Sequence, residues 1–279
     1  MTKILQETVT LANGISMPIV GLGLYKSAPE QGEAYNAVRC ALDIGYRHID
    51  TATFYRNEGE VGRALLDSGV SREEVFVTTK LWPGDFGRAQ AAFEDSLKRL
   101  GGEYIDAYLF HWPGADADLR YRAWEMMLAE QQKGRIRCAA VSNFLPHHIE
   151  DLIKRFDVIP PVNQIELHPW RQQRENAAYC REKGIQVVSW GPIFHGHLAE
   201  EPLMEEIAKK YGVSPARATL RWHLQKGYGI IPKSVHGERI ADNARLDNFA
   251  LDSEDMRRID ALDGKKRFAL NEDTFNGEL

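Results

Sequence analysis

The chain has 279 residues, 35 of them basic and 40 acidic, and a formal net charge of -5. No basic field or Lys/Arg block marks a nucleic-acid binder, and no apolar run reaches the about 18 residues that a bilayer span requires. Three scattered cysteines, Cys40, Cys138 and Cys180, give neither a disulfide framework nor a zinc pattern, and MTKILQETVTLANG lacks a signal-peptide core, so a reduced, cytoplasmic protein with one domain over residues 1–279 is expected.

Near the N-terminus, two β-prone runs flank Asn13-Gly14, a hairpin signal. Eight β-rich runs then alternate with amphipathic helical stretches: IVGLGLY, YRHIDT, VFVTTK, IDAYLFH, RCAAVS, VNQIE, QVVSW and GIIPK. Helical stretches such as GEAYNAVRCALDIG, RAQAAFEDSLKRLG and LRYRAWEMMLAEQQKG end in glycine, as helix C-termini often do. The strands carry little alternation, as expected when both faces are covered. Eight β/α units predict a (β/α)8 TIM barrel. The hairpin is expected to close its N-terminal floor, and extra helices are expected near PLMEEIAKKYG and SEDMRRIDALDG.

In such a barrel the chemistry collects at the C-terminal ends of the strands. Those ends supply Asp50 with Tyr55 just after it, Lys80, His111, Ser142-Asn143, Gln164, Trp190 and Lys233-Ser234. Any one of these has a plain structural reading: a capping aspartate, a solvated lysine, a packed tyrosine. Together, Asp50, Tyr55, Lys80 and His111 form an acid/base set. A phenol with a reference pKa of about 10 needs tuning to act near neutral pH. An adjacent Lys80 ammonium would lower it, and Asp50 would keep that ammonium charged. His111 can donate a hydrogen bond to a carbonyl oxygen that is gaining charge. Trp190 offers a stacking face, Ser142, Asn143 and Gln164 can bind an amide, and Lys233, Ser234 and Arg239 border a helix start suited to phosphate. Hydride transfer from a nicotinamide dinucleotide unites these parts. GLGLYK lacks the third glycine of the GxGxxG fingerprint, so the dinucleotide would lie across the barrel mouth.

These motifs resemble the aldo-keto reductase family over essentially the whole chain. GYRHIDTATFYRNEGEVG carries Asp50 and Tyr55, TTKLW carries Lys80 and HWP carries His111; VSNF, NQIELHP and IPKS, followed by Arg239 and Asn243, are similar to the family's cofactor stretches. The resemblance implies carbonyl reduction with NADPH (NADH more weakly), Asp50, Tyr55, Lys80 and His111 as catalytic residues, and Tyr55 as general acid. It implies cofactor contacts from Ser142, Asn143, Gln164, Trp190, Gly191, Pro192, Lys233, Ser234, Val235, Arg239 and Asn243, and no metal. Tyr25, Phe54, Trp82, His111 and Trp112 match substrate-pocket positions. Trp190 in SWGP, RWHLQKG and the brief C-terminus resemble the prokaryotic branch with the 2,5-diketo-gluconate reductases, which implies keto-sugar acids or dicarbonyls such as methylglyoxal as substrates. The expected partner is a small carbonyl compound, with no nucleic acid, no membrane and a monomeric state. The short tail RFALNEDTFNGEL is expected to leave the mouth open.

Two alternatives stand beside this reading. HGH, with His195 and His197, has metal-pair spacing, and with His168 and Asp50 it would suit a metal-dependent hydrolase on the same fold. A cofactor-sensing regulatory subunit would keep the cofactor site without turnover.

Overall fold

In the computed structural model, which describes residues 3–28 and 31–277, a hairpin of β1 (Thr8–Thr10) and β2 (Ser16–Pro18) precedes eight parallel strands. These are β3 (Leu22–Gly23), β4 (His48–Asp50), β5 (Phe76–Leu81), β6 (Ile105–Phe110), β7 (Ile136–Ser142), β8 (Val162–Glu166), β9 (Gln186–Trp190) and β10 (Gly229–Ile230), each paired with its sequence neighbour. Parallel bridges Val20–Ile230 and Gly23–Lys233 join the first strand to the last and close the barrel. Closure brings the backbones so near that a Cβ on Gly23 would lie 2.7 Å from the Ile231 carbonyl oxygen. It also shortens the regular strands below the expected IVGLGLY and GIIPK runs, because Pro232 has no N–H to offer a ladder.

The helices α1 (Glu33–Ile44), α2 (Glu58–Ser68), α3 (Ala89–Leu100), α4 (Ala117–Gln132), α5 (Pro146–Phe156) and α6 (Arg174–Glu182) follow β3 to β8 in turn. After β9 come α7 (Pro202–Tyr211) and α8 (Pro215–Gln225), and after β10 come α9 (Gly237–Asn243) and α10 (Ser253–Asp260). The two extra helices, α7 and α10, are bound to each other: Lys210 Nζ reaches Asp255 Oδ2 at 2.7 Å and Arg258 pairs with Glu206. Local chemistry sets the ends. Gly45 and Gly101 take positive φ and cap α1 and α3 through their N–H groups. Ser214 accepts from the Arg217 N–H, with Pro215 in the first turn of α8.

Period-two alternation sorts each strand between two cores. On β5, Val77 packs outward with the helices while Phe76 faces the barrel axis. The inner lower layer comprises Phe76, Ala107, Leu109, Cys138, Ala140, Val162, Val188 and Ile231, and the hairpin residues Leu11 and Met17 plug it from below. The floor hairpin is therefore as expected. Its turn is a three-residue loop: of the Asn13-Gly14 pair only Gly14 has positive φ, and the Leu11 N–H donates to the Ile15 carbonyl around the loop.

Candidate functional site

The same alternation carries polar side chains inward at the top of the barrel. Asp50 and Lys80 are fully buried there, with Lys80 Nζ 2.6 Å from Asp50 Oδ1 and 2.8 Å from the Thr51 carbonyl oxygen. Lys80 Nζ also lies 5.1 Å from the centre of the Tyr55 ring. The His111 ring stands edge-on to Tyr55 at 5.5 Å. The four groups of the expected acid/base set thus meet in one place.

Their electrostatics differ from expectation in one respect. Burial, followed by the Asp50 charge and the Tyr25 phenol, holds the Tyr55 hydroxyl well above its ordinary pKa. The expected lowering by Lys80 is not what the structure shows, because removing a phenolate from water outweighs the nearby ammonium. Tyr55 is consequently a protonated phenol at neutral pH. Burial lowers Lys80, with Asp50 opposing it. Burial, then the Lys80 charge, holds His111 well below the usual imidazole range, so this ring is neutral and carries one donor.

Beside this set lies a cluster of amides. Asn143, at φ 60, donates from Nδ2 to the His111 carbonyl oxygen (2.9 Å) and to Ser142 Oγ (3.2 Å), and accepts from Trp190 Nε1 (2.9 Å). Ser142 Oγ donates to the Gln164 carbonyl oxygen at 2.8 Å. Gln164 Nε2 donates to Asp50 Oδ2 at 2.7 Å. The protons of Ser142 and of the Asn143 amide are thus spent within the protein, and the side-chain atoms left for a ligand are chiefly acceptors. That suits a ligand NH2 group.

A cleft of about 1520 Å3 runs from this cluster across the barrel mouth. Tyr25, Asp50, Phe54, Tyr55, Trp82, His111, Trp112, Ser142, Asn143, Gln164, Trp190, Gly191, Pro192, Lys233, Ser234, Arg239 and Asn243 all line it. Two expected residues do not. Lys80 lies beneath the surface behind Asp50, and Val235 borders an adjoining depression that shares Arg239. Among the described residues no hydrogen bond or ion pair engages the charged ends of Lys233 and Arg239, so both cations are free to meet an anion. Gly191, at φ 65, has the His195 imidazole against it, and a Cβ there would collide with that ring. Asp242, also in the lining, is occupied by Ser214 Oγ at 2.5 Å.

At the other end, Phe54 stacks on Trp82 at 4.2 Å, and Trp82 meets His111 edge-on at 5.1 Å. The expected aromatic pocket therefore abuts the acid/base set. The short tail does not stand clear of this pocket but packs against one side of it. Phe275 packs against both Trp82 (5.5 Å) and Trp112 (5.1 Å), and Trp82 Nε1 donates to the Gly277 carbonyl oxygen at 2.8 Å. Further back, both oxygens of buried Glu166 accept the N–H groups of Phe268 and Ala269. The tail straps the pocket because buried carboxylate and indole groups claim its backbone. Sequence reasoning missed Phe268 to Leu270 as lining and Phe275 as a wall behind the indoles; the apolar FAL run and the lone Phe275 in the tail were the available signal.

The histidines proposed for a metal do not converge. His168 pairs with Glu166 at 3.0 Å, His197 with Glu200, and Asp50 is held by Lys80 and Gln164. The His195 and His197 rings instead stack on Phe268. Among the described residues, the group whose ligand atoms lie within 4.8 Å of one another is His147, His148 and Asp273, away from this set.

The profile described as "Aldo/keto reductase family" matches residues 19–264. The chain is 44% identical over 276 residues to the glyoxal reductase of Bacillus subtilis (strain 168), covering 98% of this chain and 99% of that one. It is 43% identical over 271 residues to the methylglyoxal reductase DkgA of Salmonella typhimurium, covering 96% and 98%. The solved structure of the Bombyx mori aldo-keto reductase in complex with NADP aligns with a TM-score of 0.87 at 33% identity, covering 94% of each chain.

Proposed function

Because the chain belongs to the aldo/keto reductase family, we propose that it reduces small aldehydes and ketones with NADPH, Tyr55 supplying the proton. The observation that carries this reading is the buried Asp50–Lys80 pair beneath a protonated Tyr55, with a neutral His111 edge-on to it. NADPH supplies a hydride for the carbonyl carbon. The residues present fit such a cofactor. Lys233 and Arg239, without a hydrogen bond or ion pair among the described residues, stand at one end of the cleft for a phosphate. The indole of Trp190, fixed by Asn143, provides a face for the nicotinamide, and the acceptor-rich cluster of Ser142, Asn143 and Gln164 receives its carboxamide.

As charge builds on the carbonyl oxygen, His111 donates a hydrogen bond to it and Tyr55 gives up its proton there. Lys80, kept charged by Asp50, stabilises the phenolate that forms. Tyr25, Phe54, Trp82 and Trp112 exclude water and hold the apolar part of the substrate, with Phe275 packed against the two indoles. The names of the glyoxal and methylglyoxal reductases support small dicarbonyls as the substrate class.

The test is NADPH consumption with glyoxal, methylglyoxal and a keto-sugar acid, for the wild type and Tyr55→Phe. Tyr55→Phe should bind NADPH normally and lose about 10²–10⁴-fold in kcat. Unchanged turnover would remove Tyr55 from the acid role. NADPH binding without turnover of any carbonyl would favour a cofactor-sensing subunit.

A further inference from the structure

β4 and β8 are separated by three strands on one side of an eight-stranded barrel, so they face each other across its axis. One hydrogen bond spans that gap near the acid/base set: Gln164 Nε2, from β8, to Asp50 Oδ2, from β4, at 2.7 Å. Both side chains are buried, at 3% and 1% exposure. An ionised carboxylate only accepts, so the Gln164 amide must turn its NH2 toward Asp50, which leaves its carbonyl oxygen for a ligand. The Gln164 backbone is fixed in turn by the Ser142 hydroxyl. Each Asp50 oxygen therefore has one side-chain donor, Lys80 on Oδ1 and Gln164 on Oδ2.

We propose that Gln164 is a positioning residue for Asp50: a strut across the barrel that aims the carboxylate at Lys80, in addition to any contact it makes with the cofactor. Removing its NH2 leaves Oδ2 buried without a donor. The carboxylate is then free to turn, and Lys80 loses part of what keeps it charged. Because the same amide faces both Asp50 and the carboxamide site, seating the nicotinamide amide would fix the strut and so the acid/base set. The inference rests on the reductase reading above and adds a role that the cofactor contact alone does not require.

The experiment compares pH profiles of kcat for the wild type, Gln164→Leu and Gln164→Glu, using NADPH and its reduced 3-acetylpyridine analogue. The analogue carries a methyl ketone in place of the carboxamide and offers no N–H to Gln164. A strut predicts that Gln164→Leu still loses about tenfold in kcat with the analogue. Its alkaline limb should move down by about one pH unit, as Lys80 gives up its proton sooner. Gln164→Glu should recover toward wild type at acid pH, where its carboxyl can donate to Asp50, and fail as that carboxyl ionises. If Gln164→Leu matches the wild type with the analogue and loses activity only with NADPH, Gln164 is a cofactor contact alone and the inference is overturned. Should Gln164→Leu not fold, a Gln164→Glu profile that tracks the wild type at every pH overturns it equally. A wild type that reduces no carbonyl with either cofactor overturns the reductase reading itself.

Discussion

Lys80 and Asp50 form a pair with almost no exposure, and such pairs are costly to break from one side. Lys80→Met should lower stability by about 3–5 kcal/mol, since it strands a buried carboxylate. Lys80→Met with Asp50→Asn should regain most of that loss in urea unfolding while remaining inactive. At the far end of the cleft, partial burial lowers the Lys233 ammonium somewhat, with Glu33 opposing and Lys26 reinforcing the shift. Lys233→Ala should raise the Kd of NADPH about tenfold or more and barely move that of NADH, because a lost charge-assisted contact to phosphate is felt only where that phosphate exists; equal losses would mean that Lys233 does not read it. Asp50, Lys80, Gln164 and Trp190 were legible in the sequence because strand ends in a barrel define one rim. The upward shift of the Tyr55 pKa was not, since it depends on how much water the fold excludes, and residue types alone do not report that.

At the scale of elements, the C-terminal tail departs most from its sequence. Among its described residues, 267–277, there is no strand or long helix, so neither periodicity nor capping signals place it. Its position comes from partners far away in the chain, Glu166 for Phe268 and Trp82 for Gly277. The barrel strands were legible for the opposite reason: their partners are their sequence neighbours, and their apolar runs repeat. Phe275→Ala removes a wall shared by Trp82 and Trp112. Steady-state kinetics should show KM for a small apolar carbonyl rising roughly three- to tenfold, as Trp82 and Trp112 lose the ring packed against them, with KM for NADPH unchanged. An unchanged substrate KM would mean that the tail covers the mouth without shaping the pocket.

The whole molecule holds several histidines neutral. Burial lowers His48 and His111, and brings His148 and His223 to about 4. In the unfolded chain each titrates near 6.5. As pH falls from about 6.5 toward about 4, the unfolded chain takes up protons that the folded one refuses, and linkage then favours unfolding. Stability should be fully present above about 6.5 and decline steadily below it, at up to about 1.4 kcal/mol per pH unit for each fully buried ring. Urea midpoints measured from pH 7.5 to 4.5 would show this. A flat profile would mean that these rings protonate in place.

The β1–β2 hairpin has a further consequence. With Phe76, Leu109, Val162 and Val188 packing its interior and Leu11 and Met17 filling its base, the barrel is a cup and not a pipe. Everything that enters must come over one rim and leave over it again. Two ligands sharing such a vessel form a queue: the one that settles against the inner wall must arrive first and depart last.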